Sequence, residues 1–321
     1  MTTPARITAY LGPEGTFTET AARSVIQHDD AASLVACHDI PQVFRHVSDG
    51  LADQGVVPIE NTLEGSVTAT LDALASHTDL KITAELELTV ELVAAAVNGT
   101  TLDAVTAVYS HPVPLAGCSQ WLSRLAPDVE RVSMSSTAKA AEHVKSQGVG
   151  HVAIVNRLAA ERYGLTVLAD AITDRDTNAT RFVVVGTELA QPTGWDKTSV
   201  VVYIDTNRPG ALLTLLEVFA ERELNLTKIE SRPTKAELGE YCFFVDVEGH
   251  VLDARVGDAL AAVRRTQRDI AILGSYPRAA ARDEQAAEQA RLLDAKHRDA
   301  TAWLDAWRQN ASDDAPKGTQ A

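Results

Sequence analysis

A polar stretch from Asp170 to Thr180 empties into Phe182-Val183-Val184-Val185, closed by Gly186. An apolar, β-branched run of this kind predicts a buried strand, with the polar stretch as the loop that feeds it. Thr180 and Arg181 then stand at the strand's mouth. There a hydroxyl and a guanidinium can donate hydrogen bonds to an anionic ligand. The same residues also suit an ordinary loop-to-strand junction. What favours a site is that three more junctions upstream are rich in Ser, Thr, Asn or Gly.

With 321 residues the chain is long enough for two domains and a sizeable core. The formal net charge of -15 argues against nucleic-acid binding, because phosphate contacts need Lys and Arg. An anionic substrate must therefore be drawn in by local donors against the overall field. The three cysteines, Cys37, Cys118 and Cys242, are scattered and lack CxxC spacing, which predicts buried free thiols in a reducing compartment. No apolar signal core or membrane-spanning run is seen, and a cytoplasmic protein that does not enter membranes is expected.

Ile7–Leu11 reads as a strand, followed by Gly12-Pro13-Glu14-Gly15 and a helix whose Thr16 and Glu19 have capping-box spacing. Strand, glycine loop and helix N-terminus together offer backbone N–H groups to an anion. A plain tight turn fits as well, and the loop is neither a Walker loop nor a dinucleotide fingerprint. A strand over 54–58 opens into Ile59-Glu60-Asn61-Thr62-Leu63-Glu64-Gly65-Ser66. Asn61 and Glu64 have capping spacing, and the helix proper is expected near Ser66. Residues 81–92 alternate apolar and polar without a fault, predicting one long strand with a solvated acidic face. Strands are also expected at 104–109, 129–132 and 152–155. A helix over 115–125 follows Ser110-His111-Pro112, and Ser133 to Thr137 is another junction loaded with hydroxyls. Asn156 should cap a helix over 157–163 that Gly164 ends. Alternating strands and helices throughout predict α/β layering.

Residues 187–197 read as a linker. Beyond it, strands at 198–204, 226–232, 241–248 and 270–276 with helices at 210–223 and 256–265 give a βαββαβ order, which is ferredoxin-like. From 279 the chain suggests an appended helix with a narrow apolar stripe, then a disordered tail after Asn310. The expected division is 1–186, 187–197, 198–278 and 279–321. No metal-ligand cluster, nucleophile elbow or phosphate loop appears, and neither metal nor cofactor is expected. The residues alone support a small-anion pocket with a ferredoxin-like module; they do not separate an enzyme from a binding protein.

The blocks Tyr10–Thr18, Val57–Ser66, Ser136–Ala138 and Asn178–Phe182 resemble, in order and spacing, the signature blocks of prephenate dehydratase. Asn207–Leu213 and Ile229–Pro233 resemble the two phenylalanine-binding motifs of that family's ACT regulatory domain. The resemblance covers residues 6–277. It implies a two-lobed catalytic domain similar to type II periplasmic binding proteins, with the site in the cleft between lobes. It also implies conversion of prephenate to phenylpyruvate, carbon dioxide and water, and allosteric inhibition by L-phenylalanine. On the same ground Thr180 and Asn61 are expected to be catalytic. Substrate contacts are expected from Gly12, Pro13, Gly15, Thr16 and Phe17, from Glu60, Thr62, Gly65 and Ser66, and from Ser136, Thr137, Arg181 and Phe182. Arg181 fits pairing with a substrate carboxylate and pairing with a neighbouring acid equally well. The effector is assigned to Asn207, Pro209, Gly210, Ala211, Leu212 and Leu213, with Glu230, Ser231, Arg232 and Pro233. ACT domains pair side by side, so a homodimer or homotetramer is implied. The block after His111 departs from the family: Val113 and Gly117 stand where many members carry glutamines, and Gln120 is the substitute at hand. An arogenate dehydratase or a non-catalytic amino-acid sensor would use the same frame.

Overall fold

The computed structural model describes residues 6–29, 31–175, 177–204, 208–234 and 240–313, the last four of these by backbone alone. Two compact units are present, one of residues 1–80 and 84–188, the other of 189–321 together with 81–83. No helix of the described residues is long and apolar enough to cross a membrane.

The first unit carries two sheets. Its chain opens with β1 (Ile7–Leu11), α1 (Phe17–Ile26), β2 (Ser33–Cys37), α2 (Ile40–Ser48), β3 (Gln54–Asn61), the two-residue β4 (Gly65–Ser66), α3 (Thr68–Ser76) and β5 (Lys81–Thr89). It then passes to β6 (Val93–Ala96), a 3₁₀ turn (Leu102–Ala104), β7 (Ala107–Ser110), α4 (Pro112–Gly117), α5 (Ser119–Leu122), β8 (Glu130–Ser133), α6 (Thr137–Gln147), β9 (His151–Val155), α7 (Arg157–Tyr163) and β10 (Thr166–Ala169). Finally β11 (Ala179–Gly186) returns to the first sheet. Strand order there is β5-β11-β3-β1-β2, and in the second sheet β10-β6-β9-β7-β8.

β11 is the valine run. It lies between β5 and β3, with Val183 opposite Val57 and Val184 opposite Val56. Because neighbours flank it on both sides, Phe182 to Val185 are all buried, each contributing roughly 1.5–3 kcal/mol of apolar burial. The register slips between Arg181 and Phe182, where β3 carries Ile59 as an extra residue beside Pro58. Pro58 lacks the N–H a regular ladder would use, and the resulting bulge aims Arg181 and Thr180 separately from the valines.

In the second sheet alternate residues feed two cores. Ala94, Ala96, Val108 and Ile154 pack on one face, while Val93, Ala95, Ala153 and Val155 pack with α6 and α7 on the other. This explains why the single long strand expected over 81–92 does not form. Apolar spacing persists through Val90 and Leu92, but both belong to the second sheet's core, and the chain changes sheets at residues 90–92. Nor is the acidic face wholly solvated, for Glu85 is buried. The helix expected over 115–125 is instead α4 and α5, broken at Cys118. Asp174 takes both sides of the break: its N–H donates to Gly117 O (2.7 Å), and its carboxylate accepts from Ser119 Oγ (2.5 Å) and Gln120 N (3.0 Å).

The second unit consists of β12 (Asp196–Tyr203), α8 (Ala211–Ala220), β13 (Leu226–Pro233), β14 (Tyr241–Glu248), α9 (Ala254–Thr266), β15 (Asp269–Pro277) and α10 (Glu284–Asp313). Its strands run β13-β14-β12-β15, antiparallel between neighbours, which is the ferredoxin-like arrangement. β12 starts inside the stretch read as a linker, because the Asp196 carboxylate closes a turn by accepting from Thr193 N (2.8 Å) and Gly194 N (2.9 Å). Along α10, Ala287 and Asp294 are buried, whereas Trp303 and Trp307 are exposed.

Candidate active site

A cleft of about 880 Å³ lies in the first unit, lined by strand-to-helix junctions of both sheets. β1 delivers Gly12, Thr16 and Phe17, β3 delivers Asn61, β7 delivers His111 and Pro112, and β8 delivers Ser135, Ser136 and Thr137. Residues 173–175, with Asn178 and Thr180, close the wall. The volume suits a small molecule, and the position, beyond the carboxyl ends of β1, β7 and β8, is where open α/β sheets bind ligands. Helices α1 and α6 start at this wall, so their N–H groups and positive dipole ends face it.

Asn61 organises the junction after β3. Its Oδ1 accepts from Leu63 N (2.9 Å) and Glu64 N (3.1 Å), so the capping spacing holds a tight turn between β3 and β4. No helix starts there: α3 begins at Thr68 without a side-chain cap. The Asn61 Nδ2 donates to Thr180 Oγ1 (2.9 Å), Asn178 Oδ1 (3.1 Å) and Ala179 O (3.2 Å). Thr180 Oγ1 is thereby an acceptor from Asn61, and its own proton is available to the cleft. Thr62 works behind it: Ala179 N donates to Thr62 Oγ1 (3.1 Å) and Thr62 N to Ala179 O (3.0 Å). Ser136 caps α6 by accepting from Lys139 N (3.0 Å), which likewise leaves its hydroxyl proton free to point outward.

Several expected contacts go elsewhere. Gly15, at φ +87°, donates its N–H to Glu19 Oε2 (2.5 Å). The capping-box carboxylate thus takes an amide that the sequence reserves for an anion. Glu19 is itself buried, and it accepts from Arg23 (2.9 and 2.7 Å) and from Arg162 (2.6 Å) of α7. Arg181 points away from the cleft, with Nε 2.7 Å from Glu85 and NH1 3.7 Å from Glu60, so it pairs with neighbouring acids. Phe182 is core, at 1% exposure. Pro13, Glu60, Thr62, Gly65 and Ser66 do not line the cleft either. Val113 and Gly117 do, whereas Gln120 borders a separate hollow with Trp121 and Arg124.

Glu64, Asp174, Arg175 and Asn178 line the cleft without having been assigned to it. Asp174 was hidden because its partners lie more than fifty positions away. A cation in the polar stretch of an acidic chain was the one available signal for Arg175. Desolvation works to raise the Asp174 carboxyl, but hydrogen bonds from Ser119 and the Gln120 amide outweigh it and hold the pKa below the ordinary value. Burial, with Asp174 adding to it, pushes the Cys118 thiol up to about 12, so this thiol stays protonated and is no nucleophile. Among the described residues no group of three or more His, Cys, Asp or Glu could hold a metal ion.

A model of the prephenate dehydratase family matches residues 8–190, and one of the ACT domain matches residues 198–265. The chain belongs to the prephenate dehydratase family. A prephenate dehydratase from Mycolicibacterium gilvum is 42% identical over 316 residues, covering 94% of this chain and 98% of the relative. The crystal structure of a prephenate dehydratase from Arthrobacter aurescens in complex with L-Phe superposes with a TM-score of 0.83 at 38% identity, covering 94% and 99% of the two chains. A chain described as a novel type of quorum quenching acylase, GqqA, is 30% identical with a TM-score of 0.77, covering 85% and 98%. The fold is therefore shared with these solved structures.

The second unit has a cavity of about 580 Å³ lined by Gly210, Ala211, Leu212 and Leu213 together with Tyr203, Arg208 and Tyr241. Pro209 does not line it. Glu230, Ser231, Arg232 and Pro233 stand on β13 at the sheet's edge, one strand beyond β14, and are outside this cavity within one chain. Asn207 and Asp176 lie outside the described residues.

Proposed function

We infer that this protein catalyses the decarboxylating dehydration of prephenate to phenylpyruvate and is inhibited by L-phenylalanine bound to its ACT domain. The observation that carries the reading is the Asn61–Thr180 hydrogen bond at the cleft wall of a chain from this family. In the reaction the bond between the ring and its carboxylate breaks, and carbon dioxide departs. The electron pair flows through the ring, which becomes aromatic, and expels the hydroxyl at the far carbon. That hydroxyl leaves as water after taking up one proton.

In this reading Thr180, on the cleft wall, donates to the departing oxygen. An unperturbed threonine hydroxyl is a feeble acid, so its contribution is a hydrogen bond that strengthens as negative charge develops. Donation from Asn61 makes Thr180 a better donor in turn. Help of this kind is typically worth about 10²–10⁴-fold. Thr16, Ser136, Thr137 and the N-termini of α1 and α6 supply donors for the substrate's carboxylates and keto group.

For the effector, the cavity at the start of α8 offers N–H groups and apolar walls, which suit an amino acid with an aromatic side chain. β13 is an edge strand with Ile229 exposed, and pairing through this unit into a homodimer or homotetramer would bring a second chain to the motif on β13. Three free, buried cysteines accord with a reducing, cytoplasmic setting.

A second reading comes from the likeness to the quorum quenching acylase. An acylase needs a nucleophile joined to a base, and no hydrogen bond connects His111 to Ser135, Ser136 or Thr180. The test is to mix purified protein with prephenate, with arogenate and with an N-acylated amine. Phenylpyruvate from prephenate supports the first reading; turnover of only one of the others replaces it.

A further inference from the structure

The cleft must hold a doubly charged anion in a protein of net charge -15, yet its described lining contains a single Lys or Arg side chain, Arg175. The cation the sequence puts forward, Arg181, is engaged by Glu85 and Glu60. Arg175 is different. It is exposed, and no described residue pairs with its guanidinium.

The root of this side chain is nevertheless fixed. On one side Asp174 is tied to Gly117, Ser119 and Gln120. On the other, Asn178 is buried, its carbonyl accepting from Val90 N (2.7 Å) and its side chain held by Asn61. A guanidinium with an anchored backbone and no partner among the described residues suits a carboxylate that arrives with the substrate.

We propose, resting on the reading of the site given above, that Arg175 receives the carboxylate the substrate keeps, the one on its keto-acid side chain. The chemistry selects this carboxylate over the other. A guanidinium paired with the ring carboxylate would stabilise a charge that disappears as carbon dioxide forms, and so would oppose the reaction. Paired with the retained carboxylate it binds ground state and transition state alike. Arg175 is then a binding residue that sets affinity and leaves the chemical step to Thr180.

The experiment compares wild type with Arg175→Gln and Arg175→Lys. For Arg175→Gln the KM for prephenate should rise about tenfold, the order expected for one charge-assisted interaction at a partly open site. Its kcat should stay within about twofold, and Arg175→Lys should recover part of the loss. Phenylpyruvate retains only the keto-acid carboxylate, so as a competitive inhibitor its Ki should rise by the same factor as KM. An unchanged KM, or a raised KM with an unchanged phenylpyruvate Ki, overturns the assignment, and so does a collapse of kcat. If wild type fails to turn over prephenate, the functional reading falls; calorimetric binding of phenylpyruvate to wild type and Arg175→Gln then still decides whether Arg175 holds this carboxylate. Unchanged thermal unfolding of the variants separates a lost contact from misfolding.

Discussion

Asn61 Nδ2 stands 2.9 Å from Thr180 Oγ1 and donates to it across 119 positions of chain. The bond joins the last residue of β3 to the second residue of β11, strands that run antiparallel with these two residues in register. If Asn61 acts through Thr180, their mutational effects cannot add. Asn61→Ala should lower kcat, Thr180→Ala should lower it further, and the double variant should be no worse than Thr180→Ala. Steady-state kinetics on the four proteins measure the coupling. Independent, additive losses would mean that Asn61 serves the turn alone.

Glu19 holds the loop that forms one wall of the cleft. Removing its carboxylate leaves Gly15 N–H without its partner and the half-buried Arg162 with only the Glu14 contact. Glu19→Ala should cost about 3 kcal/mol of stability, read from urea denaturation, and should raise KM more than it lowers kcat. Gly12, Thr16 and Phe17 would lose their fixed placement while Thr180 keeps its own.

The Arg181–Glu85 pair is structural. With side-chain exposures of 9% and 1% it is cut off from solvent, so breaking it strands a charge. Glu85→Ala should destabilise the protein by about 3 kcal/mol. Replacing both partners, as Glu85→Leu with Arg181→Met, should recover much of that loss, because the desolvation of both ions disappears together. Thermal and urea unfolding of the two variants check this; a double variant as unstable as the single one would show that Arg181 has other essential partners.

Local signals in the chain were read well, and long-range ones were not. Thr16 and Asn156 each cap the helix expected of them, because a cap is decided within four residues. The Phe182–Val185 run is buried as an unbroken β-branched run should be. Asn61 shows where such signals fail: its i+3 hydrogen bond forms, but Gly65 and the pairing of β4 with β3 turn it into a hairpin. Period-two alternation cannot say which sheet a residue joins, so the change of sheets at 90–92 was invisible. Arg181 and Glu85 are 96 positions apart, and nothing local marks them as partners. The same holds for Asp174, whose bonds break the helix expected over 115–125 and set Arg175 at the cleft.

Gly210 stands at φ +83° at the start of α8 and lines the cavity of the second unit. A Cβ there would meet open space, so the penalty for Gly210→Val is backbone strain of about 1–2 kcal/mol and a changed loop. The variant should lose phenylalanine inhibition while retaining turnover in its absence. Inhibition curves and calorimetric titration with phenylalanine measure this. Normal binding and response would place the effector elsewhere.

The central claim is that Thr180 donates to the departing hydroxyl of prephenate. Its most direct test is the kcat of Thr180→Val, a replacement close in shape that lacks the hydroxyl, assayed by phenylpyruvate formation beside wild type and Thr180→Ser. The account predicts a fall of about 10²–10⁴-fold with KM little changed, and substantial activity in Thr180→Ser. A Thr180→Val enzyme with near-normal kcat would contradict it.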